Sequence, residues 1–380
     1  MNPFAGIIGQ PRATEALGRA IAEDRLFPSL IFHGPAGVGK LTTAVALCRA
    51  LLCASSADRP CGACSPCRRI DDRALLHPDV RVVLPEKLSD FEKGEPPSER
   101  SAGLDLQERQ ADATANPAWN ILIGRIRQSL TAVQRPPSEN RLSVLIIDQA
   151  HRMAAEPANA LLKTLEEPPE HALIILSTTS YHALLPTIRS RCQSVPFASI
   201  PLLEITAMLM ERLGLPEEEA TIRAGLSDGR LGAALEFDLD DHRRRRDELL
   251  KLLEVTIGRG DPGIAVVSAE SMAKGQDSLD GDLRILMSLL RDTMILGATG
   301  APQEGRADDA GPAPRLIHID LAARLAGLAG RLGPLAPQAV EDLDTTLHAI
   351  RRRGNRQLLL ENFFLGLLPR SPAPSRDRTT

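Results

Sequence analysis

The stretch SLIFHGPAGVGK, Ser29–Lys40, decides the fold. SLIFHG is an apolar run that stops at glycine, and a glycine-rich turn carries it into LTTAVALCRALLC, which has helical composition. Gly34, Gly37 and Gly39 let backbone N–H groups converge on phosphate oxygens, backed by the positive end of the following helix. Lys40 would reach the outer phosphates. The plain alternative is a glycine-rich turn between strand and helix that holds no ligand. One position departs from the motif: the residue after the lysine should carry a hydroxyl for Mg²⁺, and here it is Leu41. Thr42 and Thr43 come one and two places late, and a helix turns about 100° per residue, so Thr42 should not aim where residue 41 would. Binding of ATP or ADP with Mg²⁺ survives such a change more readily than hydrolysis does.

Working outward, DVRVVLP (Asp79–Pro85), SVLIIDQ (Ser143–Gln149) and ALIILSTT (Ala172–Thr179) are further short apolar runs spaced by helical stretches. Continuous apolar strands alternating with helices predict an α/β domain, a parallel sheet with helices on both faces, over residues 1–198. LLKTLEE before Pro168-Pro169 reads as a helix with a clear stop. Between Pro85 and Pro117 the pattern breaks, and Glu86 to Asp112 holds eight acidic and four basic residues. Residues 86–117 therefore read as a flexible, solvated insertion. After Pro201 the strand pattern ends: short helices to about Asp240 suggest a small lid (199–240), 241–368 a helical collar for oligomerisation, and 369–380 a disordered tail.

The 380 residues suffice for two or three domains, and 43% hydrophobic with 25% charged residues is ordinary for a water-soluble chain. A net charge of −4 argues against a general polyanion-binding surface, and 3% aromatics against base-stacking platforms. There is no signal-like start and no run near the roughly 18 apolar residues that span a bilayer, so cytoplasm is expected and no membrane partner. Cys61, Cys64 and Cys67 lie in PCGACSPC, with Cys53 eight residues before the first of them. Four thiolates at that spacing suit a closed tetrahedral structural Zn²⁺ site, module 53–67. Cys48 reads as core, and His77 as a weaker ligand candidate.

Asp148 ends a strand where a phosphate-loop ATPase holds its metal-side carboxylate, but Gln149 stands where a carboxylate base is usual. A polar strand end that caps the next helix is the plain alternative. Arg191, in Ser190-Arg191-Cys192, is either a solvated charge or an arginine finger for a neighbouring subunit's nucleotide.

Together IIGQ (Ile7–Gln10), GPAGVGK, CGACSPC, VLIIDQAHRM, NALLKTLEEPP, LSTTS and IRSRC closely resemble the bacterial DNA polymerase III clamp-loader subunits of the AAA+ family. The resemblance covers residues 4–198 strongly and the rest loosely. It implies a sensor threonine at Thr179 and maps the lid's sensor arginine onto Gly232, with Arg230 two places early. Two kinds of subunit share these signatures, the ATP-hydrolysing tau/gamma motor and the delta prime type. With Leu41, Gln149 and Gly232 altered and Arg191 intact, the delta prime type is favoured and the tau/gamma motor is the alternative. Such a subunit would have little or no ATPase of its own and would offer Arg191 in trans. The implied partners are tau/gamma and delta subunits, the sliding clamp indirectly, and primer–template DNA inside the assembly. The basic runs Arg243–Arg246 and Arg351–Arg353 read as solvated helix faces.

Overall fold

The computed structural model describes residues 2–55, 59–70, 75–87, 106–116, 118–139, 141–235, 237–274, 279–299, 316–351 and 354–368. The chain divides into two compact units: Met1–Ile205 with Asp228–Ala233, and Thr206–Ser227 with Ala234–Thr380. The residues read as a lid are therefore shared between the two.

In the first unit, helix α1 (Pro11–Ala22) precedes strand β1 (Ser29–His33), then α2 (Lys40–Leu51), α3 (Ser65–Arg69) and β2 (Val80–Val83). Helices α4 (Leu106–Ala115) and α5 (Ile123–Val133) lead to β3 (Ser143–Ile147) and α6 (Ala155–Glu166). Strand β4 (Ala172–Thr178), α7 (Pro186–Arg189) and β5 (Gln193–Pro196) complete the unit. All strand pairs are parallel, in the order β2-β3-β4-β1-β5.

Alternation along the strands explains why their runs are apolar without a break. Leu30, Phe32, Val144, Ile146, Leu173 and Ile175 pack on one face with α1 and α2. Ile31, Leu145, Ile147, Ile174 and Leu176 pack on the other with α5, α6 and α7. Both faces are covered, so polar positions within a strand would be left in apolar surroundings.

The second unit is helical: α8 (Leu202–Leu213), α9 (Glu217–Leu226), α10 (Leu231–Leu235), α11 (Leu239–Arg259) and α12 (Pro262–Lys274), of which α8 and α10 begin in the first unit. Then come α13 (Leu279–Thr299), α14 (Ala322–Leu332), α15 (Leu335–Arg351) and α16 (Arg356–Gly366). Leu250, Leu253, Leu286, Leu289, Leu325, Leu343 and Phe364 form its core. Asp238 caps α11, accepting from the N–H groups of Asp240 and Asp241, and Gly260 ends the helix at φ +62°. The basic run on α11 is not wholly solvated. Arg246 is 4% exposed and pairs with Asp320 at 2.7 Å, while Arg245 reaches Asp282 at 3.1 Å. The run's acid partners lie across the fold as well as beside it in sequence. Of the other run, residues 352 and 353 lie outside the described residues.

Residues 88–105 and 117 of the expected flexible insertion also lie outside the described residues, but 106–115 form the helix α4. The expectation of an irregular segment is corrected there. LQERQADATA looks polar all round, and among its described side chains those that the structure buries are Leu106 at 4% and Ala113 at 0% exposure, seven residues apart. That spacing was the one sequence signal available. Glu86 and Asn120 exchange backbone hydrogen bonds and Glu86 meets Arg125 in a two-pronged pair (2.8 and 3.1 Å), so the segment leaves and returns at one place.

Candidate functional site

Three strands end side by side. Register sets His33 level with Thr178 and Ile147 level with Leu176, so residues following β1, β3 and β4 meet at one edge of the sheet. Those residues are Gly34–Lys40, Asp148 with Gln149, and Thr179.

The loop is built as a phosphate-binding turn requires. A Cβ at Gly34 would fall 2.1 Å from the Phe197 carbonyl oxygen, and Gly37 and Gly39 sit at φ +69° and +95°. Lys40 is buried, its ammonium donating to the Gly34 carbonyl at 2.8 Å and to that of Pro35. Burial lowers its pKa to about 8, against the opposing pull of Asp148. The Gly232 N–H donates to the Gly37 carbonyl at 3.2 Å, and Arg230 packs on Gly37, its guanidinium 3.5 Å from Asp228. Both sensor candidates of the lid thus lie at the loop.

The metal half of the site is different. Leu41 belongs to the core at 5% exposure, and the hydroxyl of the fully buried Thr43 donates to the Gly39 carbonyl at 2.8 Å. Asp148 is 2% exposed, with one carboxylate oxygen accepting from the Ser177 hydroxyl and the other from the Gln110 amide at 2.9 Å. Gln149 holds a left-handed φ of +52° and donates its side-chain amide to the Thr114 hydroxyl at 3.0 Å. Arg152 donates to the carbonyls of Ala113 (2.5 Å) and Asn116 (3.3 Å), capping the end of α4. Asp148, Gln149 and Arg152 all grip α4. The loop fits a phosphate. Asp148 beside it accepts one hydrogen bond on each oxygen and keeps acceptor sites for a metal ion or its water, but residue 41 offers no hydroxyl to complete a Mg²⁺ site.

Arg152→Ala removes a charged donor from two helix-end carbonyls, a loss of about 1.5–3 kcal/mol. It is expected to speed amide exchange across 106–115 at least about tenfold and leave the strands unchanged, as hydrogen-exchange mass spectrometry would read.

Thr179 is exposed and its hydroxyl lies 3.3 Å from His151 Nε2, while the buried Thr178 hydroxyl lies 3.2 Å from Nδ1 of the same ring. Burial, then the Arg152 charge, lower the pKa of His151 and favour the neutral ring. Arg191 follows the short helix α7. Its guanidinium donates to the Thr187 carbonyl at 2.9 Å and meets Glu166 at 2.6 Å, with 33% of the side chain exposed. Gln110, His151, Ser177 and Glu166 were not singled out in the sequence. His151, Ser177 and Glu166 lie within VLIIDQAHRM, LSTTS and NALLKTLEEPP, while Gln110 lies outside the stretches that carry the family resemblance.

The cysteines form a separate centre. Among the described residues Cys53, Cys61, Cys64 and Cys67 are the one group that could hold a metal ion, their sulfurs all within 4.8 Å of one another. Cys53 and Cys64 sulfurs are 3.9 Å apart, and a tetrahedral site with metal–sulfur bonds of ~2.3 Å has edges of about 3.8 Å. The Cys61 N–H points at the Cys53 sulfur (3.3 Å) and the Cys64 N–H at the Cys61 sulfur (3.4 Å), an arrangement that favours thiolates. Gly62 turns the chain between them at φ +74°. The donor set is all sulfur and fits a closed structural ion. His77 is outside the cluster: its Nδ1 accepts from the Asp79 N–H at 3.2 Å. Cys48 is fully buried, and burial pushes its thiol up to about 12. Among the described residues no helix is long and apolar enough to cross a membrane.

Comparison with known proteins adds the following. A family model described as DNA polymerase III, delta subunit, matches residues 9–201. The DNA polymerase III subunit delta' of Bacillus subtilis (strain 168) is 28% identical over 315 residues, 82% of this chain and 82% of that protein. The DNA polymerase III subunit tau of the same strain is 29% identical over 263 residues, 68% of this chain but 40% of that protein. Among solved structures, a DNA polymerase III gamma subunit-related protein of Thermotoga maritima aligns over 93% of this chain and 97% of its own, with 18% identity and a TM-score of 0.37.

Proposed function

The chain belongs to the DNA polymerase III delta-subunit family, and from that membership we propose that it works as a delta prime type subunit of the clamp loader. It is a largely non-hydrolytic ring member that helps place the sliding clamp on primed DNA. The observation that carries this is Leu41, buried in the core where a Mg²⁺-ligating hydroxyl is usual. The amide at position 149, engaged with Thr114, agrees with it. The phosphate loop, Gly34, Gly37, Gly39 and Lys40, retains the geometry to hold the phosphates of ATP or ADP without supplying the chemistry that splits them.

Arg191 is the residue proposed to act on another subunit's ATP, and its partial exposure supports that role. The partners are tau/gamma and delta subunits, with the clamp and primer–template DNA met in the assembly, in the cytoplasm. The four cysteines hold structural Zn²⁺, and the chain is organised as AAA+ domain, lid and collar. Zinc bound there would tie the end of α2 to α3 and take no part in chemistry.

The test is ATP turnover with and without partners. The isolated chain is expected to show negligible Mg²⁺-dependent hydrolysis, and Arg191→Ala to lower turnover at the site it serves by a factor on the order of 10³ while the variant still assembles. Robust hydrolysis by the isolated chain, abolished by Lys40→Ala, would make it a tau/gamma type motor instead.

A further inference from the structure

We propose that Glu166 is a positioning residue for Arg191, holding its guanidinium in the orientation presented to a neighbouring subunit's nucleotide. The proposal rests on the trans role of Arg191 and deepens it.

Glu166 is the last residue of α6, and Arg191 follows the one-turn helix α7. Glu167 closes α6 before Pro168 and Pro169, which cannot extend it, so the carboxylate leaves the helix from a fixed end. The two helices pack on the same sheet face through Leu161, Leu165 and Ile188, all buried, with Leu184 just before α7 in the same cluster. Glu166 Oε1 meets one terminal nitrogen of the guanidinium at 2.6 Å, and the other terminal nitrogen donates to the Thr187 carbonyl at 2.9 Å. That second nitrogen also lies 3.4 Å from the Ser190 hydroxyl. Acceptors on two elements fix the plane of the group, while the side chain stays 33% exposed.

An ordinary surface ion pair holds two floppy chains together and contributes little. This one differs in that a backbone carbonyl sets the angle and a helix end sets the partner. A planar donor that must meet phosphate oxygens in one geometry gains from being oriented before it arrives. Without Glu166, Arg191 keeps one carbonyl contact and turns about it.

The experiment compares the fully assembled complex carrying wild-type chain, Arg191→Ala, Glu166→Ala, Glu166→Gln, or both alanines. Glu166→Ala is expected to lower kcat about tenfold with KM within about twofold, since orientation and not ground-state binding is lost. Glu166→Gln keeps a neutral acceptor and should fall between, about threefold down. The double variant should be no slower than Arg191→Ala alone, because Glu166 acts through that arginine. Wild-type turnover in both Glu166 variants beside an impaired Arg191→Ala overturns this proposal alone. Wild-type turnover in Arg191→Ala overturns the trans role beneath it. Should the alanine variant fail to join the complex, Glu166→Gln decides: lowered kcat supports the proposal, and unchanged kcat overturns it.

Discussion

Stripping the metal from the four-cysteine cluster is expected to loosen residues 53–69 and lower the melting temperature of the chain by about 10 °C, for a loss of roughly 3–4 kcal/mol. The module has little else to hold it. Helix α3 spans five residues, too short to persist alone, and is anchored by Pro66 and Cys67 in the interior. Thiolate ligation of structural zinc contributes on the order of 10 kcal/mol in small domains, much of it folding free energy. Here part of the module is held by the sheet unit through Leu52 and Ile70, so the net loss is smaller. The consequences should extend beyond the cysteines. Arg69 leaves α3 to form a two-pronged pair with Glu139, which also lies 4.0 Å from His77 Nε2. Metal analysis of the purified chain should give one zinc per chain, and Cys64→Ser should reproduce the effect of a chelator. Unchanged melting and unchanged exchange across 53–69 after both treatments would mean that no ion holds the module.

Acid is expected to destabilise the helical unit from about pH 6.5 downward, beginning above the range in which ordinary carboxylates titrate. His242 and His318 stack at 5.9 Å between ring centroids and are 5% and 0% exposed. His318 Nε2 lies 2.9 Å from the Ser288 hydroxyl, while His242 Nε2 and His318 Nδ1 are buried without hydrogen-bond partners among the described residues. Burial lowers the two rings to about 4 and about 3; Arg246 adds to both, His242 adds to the lowering of His318, and Asp320 opposes at both. Both folded values lie below the unfolded value of about 6.5, so the unfolded chain binds protons first. Stability is therefore complete above about pH 6.5 and falls as pH drops toward 4 and then 3. At pH 4.5 each ring costs about 2–3 kcal/mol, a large share of a domain's roughly 5–15 kcal/mol. Asp292 works the other way: burial raises its pKa, and it takes up a proton in the folded state first, a partial offset at the acid end. Denaturant titrations at intervals from pH 7 to 4.5 would measure the slope. His242→Phe, beside Phe237 at 4.9 Å, should remove about half of it. A flat profile in the wild-type chain would contradict the buried neutral pair.

Much of the first unit was legible because its constraints are local. Strands covered on both faces must be apolar throughout, so SLIFH, SVLII and ALIILST stand out of the sequence. Gly34 was readable from its place in GPAGVGK between a strand and a helix, and the structure adds that a side chain there would strike the Phe197 carbonyl. Four cysteines within fifteen positions announce their cluster by spacing alone. Helix α4 was not legible. Among its described side chains the buried ones are Leu106 and Ala113, and the other attachments described are polar groups that any solvated segment carries.

What the sequence alone determined is the four apolar strands β1 to β4 and the helices between several of them, the phosphate loop, the cysteine cluster and the departures from the catalytic set at Leu41 and Gln149. Those follow from short-range rules of periodicity, backbone freedom and ligand spacing. Only the tertiary structure decided what the remaining polar groups do. It turns Asp148 toward Ser177 and Gln110, gives Gln149 and Arg152 a helix to hold, and sets Arg191 against Glu166. Ser177 and Gln110 are 29 and 38 residues from Asp148, and Glu166 is 25 from Arg191. Hydrogen bonds between groups so far apart leave no period in the chain, because their geometry exists only once the sheet has brought the strand ends together.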